Sequence, residues 1–150
     1  METILEKQSR LRLSGKTKAI IVDIIVYLFV LLFVYTAASK FMTYDKFSGV
    51  LHRSVLIGAY SSTIAWFVPA IEIVISILLI APSTKKIGLI ASLGLMTVFT
   101  IYLIYMINSG SKLSCSCGGI VSALSWRQHI WFNILFIILA IIGLKTYKKE

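Results

Sequence analysis

Residues 87–107 read IGLIASLGLMTVFTIYLIYMI, a stretch without a charged side chain. A helix that crosses the ~30 Å hydrocarbon core of a bilayer needs about 20 predominantly apolar residues. The stretch therefore predicts a transmembrane helix. Three further apolar runs approach the same length, so we expect four spans, at about residues 19–38, 57–80, 87–107 and 128–145.

The composition of the whole chain is that of a membrane protein. Hydrophobic residues make up 58% of its 150 residues, whereas soluble domains are usually about 45–50% apolar. Short connections such as the turn at residues 81–86 join antiparallel helices. The sequence predicts an all-α fold, a polytopic four-transmembrane-helix up-down bundle. Nothing outside the spans is long enough to bury a second core, so we expect one domain over residues 1–150.

The distribution of lysine and arginine predicts the orientation of this bundle. Ten of the 15 lysine and arginine residues lie near the N-terminus, in the turn at residues 81–86 or near the C-terminus. The other five lie in or beside the two longer loops. Positive charge stays on the cytoplasmic side of a membrane when short loops are counted. We therefore expect both termini in the cytoplasm and loops 39–63 and 108–128 outside. The first run exceeds the ~7–15 apolar residues of a cleaved signal peptide, which favours a retained span.

The net charge of +9 raises the alternative of a nucleic-acid partner. The basic residues flank the spans, however, and do not form a stripe with interleaved aromatic residues along one helix. Attraction to anionic lipid explains basic clusters beside spans. We expect a lipid bilayer as the partner of these charges, and no nucleic acid.

The only two cysteines, Cys115 and Cys117, lie one residue apart in the second outer loop. Disulfides form and persist on that side of the membrane. A bridge between them closes a very small ring and removes little entropy from the unfolded chain, so a purely stabilising role is inefficient. Strained, exposed disulfides are the labile or catalytic ones, which favours a pair that cycles between dithiol and disulfide. A static disulfide and two structural thiols are the alternatives.

A soft-metal site is a third interpretation of the same pair. Met42 and Met106 also lie at the outer boundary, and Cu(I) favours thiolate and thioether ligands. Two thiolates without a second close Cys/His pair make a weak motif. We therefore expect no metal, with a Cu(I) site of Cys115, Cys117, Met42 and Met106 as the alternative.

Three polar residues follow the cysteines at the mouth of the fourth span. Arg127 and His129 are candidate activating groups, because a nearby cation lowers the pKa of a thiol and raises its thiolate fraction. Asn133 is four residues after His129, so the two share a helix face. An arginine that extends to the membrane interface is the alternative for Arg127.

Glu72 lies well inside the second span. A charge at the bilayer centre costs at least ~2.5–3.5 kcal/mol on insertion scales, so such residues face the bundle interior and are candidates for function. We expect Thr100, at a similar depth, to form a hydrogen bond with it. A neutral carboxyl group that holds helices together and a contact for protons or a quinone head are both open interpretations.

The first outer loop contains a short amphipathic pattern. Phe47, Val50, Leu51 and Val55 recur at helical spacing, with charged residues on other faces. The pattern predicts a short extracytoplasmic helix on the membrane surface, which roofs the mouth of the bundle beside the cysteine loop.

Over about residues 19–145 the chain resembles the MauE/DoxX group of redox-associated membrane proteins, and its methylamine-utilisation MauE branch in particular. The matching segments are Ala37-Ala38-Ser39-Lys40 with Phe41 and Asp45-Lys46-Phe47, Pro69-Ala70-Ile71-Glu72 with Ile77-Leu78-Leu79, and a Cys-x-Cys-Gly loop followed by His129 and Asn133. The family loop often reads Cys-x-Cys-Phe-Gly, and Gly118 stands here in place of the phenylalanine.

The resemblance implies a multi-pass protein of the bacterial cytoplasmic (inner) membrane. The implied function is a redox helper that exchanges or maintains disulfides in an exported partner through Cys115 and Cys117. A thioredoxin-like extracytoplasmic protein would act alongside it, and quinone is the candidate cofactor. The protein would be a thiol-disulfide oxidoreductase or an accessory subunit of one. Its supporting site residues would be Lys40, Glu72, Arg127, His129 and Asn133. The alternative from another class is a membrane scaffold or chaperone with a static disulfide.

Overall fold

The computed structural model describes residues 14–109 and 125–147, and within these ranges it contains helices and no strand. The helices are α1 (Gly15–Met42), α2 (Tyr44–His52), α3 (Ser61–Ile80), α4 (Lys85–Asn108) and α5 (Trp126–Thr146), with a 3₁₀ turn at Gly58–Tyr60. Four of them, with the 3₁₀ turn joined to α3, are long and apolar enough to cross a membrane. The predicted all-α fold and its four spans are therefore confirmed.

The four long helices run alternately up and down. Asp23, near the start of α1, accepts a 2.8 Å hydrogen bond from Lys85 at the start of α4. Lys40, near the end of α1, reaches Glu72 of α3. The bundle therefore has a short-turn end, where α1 and α4 begin and α3 and α5 end. At its long-loop end, α1 and α4 end and α3 and α5 begin.

The hydrophobic core occupies the part of the bundle between the centre and the short-turn end. Phe29 of α1 packs edge-on against Phe136 of α5, with ring centroids 5.1 Å apart, and both are buried with Ile75 of α3 and Leu89 of α4. Side chains from all four long helices thus meet in one cluster. The outward faces remain apolar, as lipid contact requires.

Helices α3 and α4 approach each other closely at Gly88. A Cβ atom at this position would lie 2.9 Å from the backbone nitrogen of Leu79 and 3.0 Å from the carbonyl carbon of Leu78. Only glycine fits this contact without a backbone shift. The backbones of α3 and α4 are therefore in close contact at the short-turn end.

Helix α2 confirms the predicted amphipathic helix. Phe47 and Leu51 are buried and pack with Ala65 of α3, and Tyr44 forms a 3.1 Å hydrogen bond with Ser62. The helix ends at His52, so Val55, which is 95% exposed, does not belong to its apolar face. This second cluster lies at the long-loop end, apart from the main core.

Candidate functional site

An ion pair is buried inside the bundle. The Nζ atom of Lys40 lies 2.7 Å from Oε1 of Glu72, and the two side chains are only 4% and 2% exposed. Glu72 is eleven residues into α3, about 16 Å from its start at 1.5 Å per residue. Because helical side chains tilt toward the helix N-terminus, Lys40 extends from the end of α1 back into the bundle. One residue from each of two antiparallel helices thus meets in the apolar interior.

The ammonium group of Lys40 also lies between two aromatic rings. Its Nζ atom is 5.8 Å from the ring centroid of Phe47 on α2 and 5.8 Å from that of Phe99 on α4. A cation within about 6 Å of a ring is attracted to its face, more strongly where water is excluded. Lys40 therefore connects α1 to three other helices.

The buried Lys40–Glu72 pair is better explained by a role in function than by a gain in the stability of the fold. Removing two charges from water costs several kcal/mol per ion, and apolar residues of similar volume often stabilise a protein as well or better. Charged groups at this depth in a span are expected to serve a functional site. Lys40 and Glu72 are therefore the residues around which we describe the site.

The hydrogen bond expected between Thr100 and Glu72 is not formed. The Thr100 hydroxyl donates to the backbone oxygen of Met96 in its own helix, at 2.7 Å. A hydroxyl group has one hydrogen to donate, and in an apolar span the carbonyl one turn earlier is always within reach. Lys40 is the partner of Glu72 instead, and Thr36 of α1 lies beside the same carboxylate.

A cavity of about 480 Å³ surrounds the ion pair. It lies between the main core and the α2 cluster, since its lining includes Phe33 and Met96 from the first and Phe47 and Leu51 from the second. Most of its wall is apolar. Its polar lining consists of Thr36, Lys40, Glu72, Tyr102, Tyr105, His129 and Asn133. The polar groups of four helices therefore share one cavity beside α2.

Two polar atoms in this cavity are buried without a hydrogen-bond partner among the residues that the structure describes. They are Oε2 of Glu72, an acceptor, and Nδ2 of Asn133, a donor. A buried polar group left unsatisfied costs about 1–3 kcal/mol, and such groups in native proteins call for an explanation. A bound molecule with both an acceptor and a donor would satisfy the pair.

The start of α5 is fixed by a capping box. The Ser125 hydroxyl accepts a hydrogen bond from the Gln128 backbone nitrogen at 3.4 Å, and the Gln128 side chain accepts one from the Ser125 nitrogen at 3.0 Å. This arrangement satisfies two otherwise free backbone donors. It also sets the helical register that places His129 and Asn133, one turn apart and both buried, against the cavity.

The other predicted site residues that the structure describes do not line the cavity. Arg127 is exposed at the start of α5 and does not line the cavity. Met42 is 86% exposed, whereas Met106 is buried with its sulfur 3.9 Å from the Ser54 hydroxyl. Cys115 and Cys117 lie outside the described residues. Within residues 14–109 and 125–147 no three His, Cys, Asp or Glu side chains are grouped to hold a metal ion.

Sequence reasoning identified Lys40 and Glu72 separately but missed that they pair. The available signal was charge: each is a lone ionised residue beside or within a long apolar run, and the two have opposite signs. The aromatic wall of Phe99 and Tyr102 gave no signal, because in a transmembrane helix residues that face lipid and residues that face a cavity are both apolar.

Comparison with known protein families matches residues 18–146 to the family described as "Methylamine utilisation protein MauE". No curated protein and no solved structure matches the chain. The matched range covers most of the chain and contains Lys40, Glu72, His129 and Asn133. The protein is a multi-pass membrane protein that belongs to the MauE family of methylamine utilisation proteins.

Proposed function

We propose that the protein is a redox helper of the bacterial cytoplasmic membrane that forms and maintains disulfides in an exported partner through Cys115 and Cys117. One observation carries this proposal. The segment that contains both cysteines joins α4 to α5 at the long-loop end, where His129 and Asn133 line the polar cavity. A cysteine pair in the segment between these two helix ends is suited to exchange electrons with a molecule bound in the cavity.

The proposed reaction has two balanced halves. A thiolate of the partner attacks the Cys115–Cys117 disulfide and forms a mixed disulfide, which the second partner thiolate resolves. The partner leaves with a disulfide, and the cysteine pair becomes a dithiol. This dithiol then passes two electrons and two protons to a quinone, which leaves as the quinol. His129 lines the cavity and is the candidate to carry a proton to the bound molecule, since imidazole both donates and accepts protons.

The cysteine loop faces the outside of the cell in this proposal, where a thioredoxin-like protein or an exported substrate can reach it. The support is the excess of lysine and arginine at the short-turn end, which is typical of the cytoplasmic side. The family description supports a methylamine-utilisation system as the setting in which the exported partner works.

Redox titration tests whether the pair cycles. We expect Cys115 and Cys117 to interconvert with a midpoint potential above about −300 mV, since structural disulfides in exported proteins lie below that value. The purified protein is equilibrated in thiol-disulfide buffers and alkylated, and the oxidised fraction is read from the mass shift. A midpoint below about −300 mV would replace the redox function with that of a scaffold held by a static disulfide.

Thiol labelling of intact cells tests the orientation. A membrane-impermeant maleimide should modify Cys115 and Cys117 in reduced spheroplasts without rupture of the membrane. The matched control is Ser83→Cys in the exposed turn between α3 and α4, introduced into a Cys115→Ser/Cys117→Ser background. This control thiol should react only after rupture, and the reverse pattern would show that the loop is cytoplasmic.

A further inference from the structure

We infer that the cavity around Lys40 and Glu72 binds the head ring of a membrane quinone, which enters sideways from the bilayer between α3 and α4. The inference rests on the proposed function only for the role of the quinone as electron acceptor. The binding site itself is argued from the described residues.

The first argument is the route into the cavity. Leu56, Val98 and Ile101 line the cavity and are also more than 60% exposed on the outside of the bundle. The wall that they form therefore reaches the lipid-facing surface. Helices α3 and α4 are in contact at Gly88 near the short-turn end, and the cavity lies between them toward the long-loop end. A molecule dissolved in the bilayer can enter there without crossing water.

The second argument is charge. The polar part of the cavity contains one cation and one anion, Lys40 and Glu72, already paired at 2.7 Å. A phosphate or carboxylate ligand would add an uncompensated charge to a largely apolar space, and this is strongly unfavourable. A neutral ligand keeps the site balanced. The apolar remainder of the wall suits a ring with an isoprenoid tail.

The third argument is hydrogen bonding. The Nδ2 atom of Asn133 is a buried donor without a partner in the described part of the chain, and Oε2 of Glu72 is a buried acceptor in the same condition. A quinone carbonyl accepts from the first, and a quinol hydroxyl donates to the second. The oxidised form would therefore satisfy the Asn133 donor alone, and the reduced form would satisfy both atoms. Its volume of about 480 Å³ falls within the ~300–1,000 Å³ of typical ligand pockets.

Direct binding of decylubiquinone, a neutral quinone with a ten-carbon tail, tests the site in protein reconstituted into nanodiscs. Ile101→Trp should fill the lateral opening and weaken binding at least tenfold. The matched control is Ile104→Trp on the same helix, because Ile104 is 45% exposed but does not line the cavity. Its affinity should stay within twofold of the wild type. Equal affinity of both variants, or equal loss in both, would overturn the lateral entrance.

Asn133→Leu removes the unpartnered donor at nearly constant size and should weaken binding about tenfold, while thermal unfolding verifies that the variant is folded. Wild-type affinity in this variant and in Ile101→Trp, or a bound phospholipid that decylubiquinone fails to displace, would overturn the site.

Cysteine-free protein separates this inference from the proposed function. Cys115→Ser/Cys117→Ser should bind decylubiquinone with unchanged affinity, because binding does not require the thiols. If binding persists but the wild-type pair fails to cycle, the proposed function is wrong and the site stands. If the pair cycles but wild-type protein binds no quinone, this inference alone is wrong.

Discussion

Lys40→Met is expected to lower the free energy of unfolding by about 3–5 kcal/mol, because removing one partner of a buried ion pair leaves the other charge uncompensated. The Glu72 side chain is only 2% exposed, so its charge stays buried without the ammonium group. Both the 2.7 Å contact and the attraction to the Phe47 and Phe99 rings disappear. Unfolding of the purified protein by a denaturing detergent measures the change.

The matched control for this prediction is Lys85→Met, which breaks the ion pair with Asp23. That pair has the same kind of contact, at 2.8 Å, but the Asp23 side chain is 51% exposed. Exposed pairs contribute about 0–1 kcal/mol, so the loss should be several-fold smaller. Equal losses in the two variants would show that burial does not set the energetic role of the Lys40–Glu72 pair.

The double variant Lys40→Met/Glu72→Leu separates folding from function. Well-packed apolar replacements for a buried ion pair are often neutral or stabilising, so stability should return to within about 1 kcal/mol of the wild type. Quinone binding should not return with it, since the variant lacks the two charged groups of the cavity, Lys40 and Glu72. Recovery of both properties would mean that the pair has only a structural role.

The fold could be predicted from the sequence because the length of an apolar run is a direct physical requirement of the bilayer. Residues 87–107 span the hydrocarbon core whatever packs beside them, and the turn at residues 81–86 leaves little freedom in how α3 and α4 are joined. Helix α2 was also predictable, since Phe47 and Leu51 recur at helical spacing within a polar loop. The predicted apolar face included Val55 and was therefore too long, because nothing in the sequence pattern marks the end of the helix at His52.

The site could be predicted only in part. Glu72 was identified because an isolated charge in a span is costly, but its partner depends on how far the Lys40 side chain reaches back along α1. The cavity depends on which apolar residues face inward. Ile101 and Ile104 are chemically identical and three residues apart on one helix, yet only Ile101 lines the cavity. Distinguishing them requires the packing of α3 against α4.

Replacing one cysteine of the pair is expected to trap the exported partner as a covalent complex. The exchange is reversible, and in the reverse direction a thiolate of the pair attacks the disulfide of the oxidised partner. In the wild type, the second cysteine of the pair resolves the mixed disulfide that results. A variant with a single cysteine lacks this step, so its thiolate attacks a partner disulfide, releases one partner thiolate and stays bonded. Arg127 is closer in sequence to Cys117, and a nearby cation raises the thiolate fraction. We therefore expect Cys115→Ser to be the variant that accumulates the complex.

The complex should change from undetectable to a major band of higher mass that disappears on reduction, and mass spectrometry of the band identifies the partner. Cys117→Ser is the matched single-cysteine control, with much less of the same band. Cys115→Ser/Cys117→Ser should form none and should abolish disulfide formation in the partner, although quinone binding stays intact. Full partner oxidation in cells that carry this double variant, together with no complex in either single variant, would contradict the redox function. The Lys40–Glu72 cavity would then belong to a scaffold that binds a bilayer ligand without thiol chemistry.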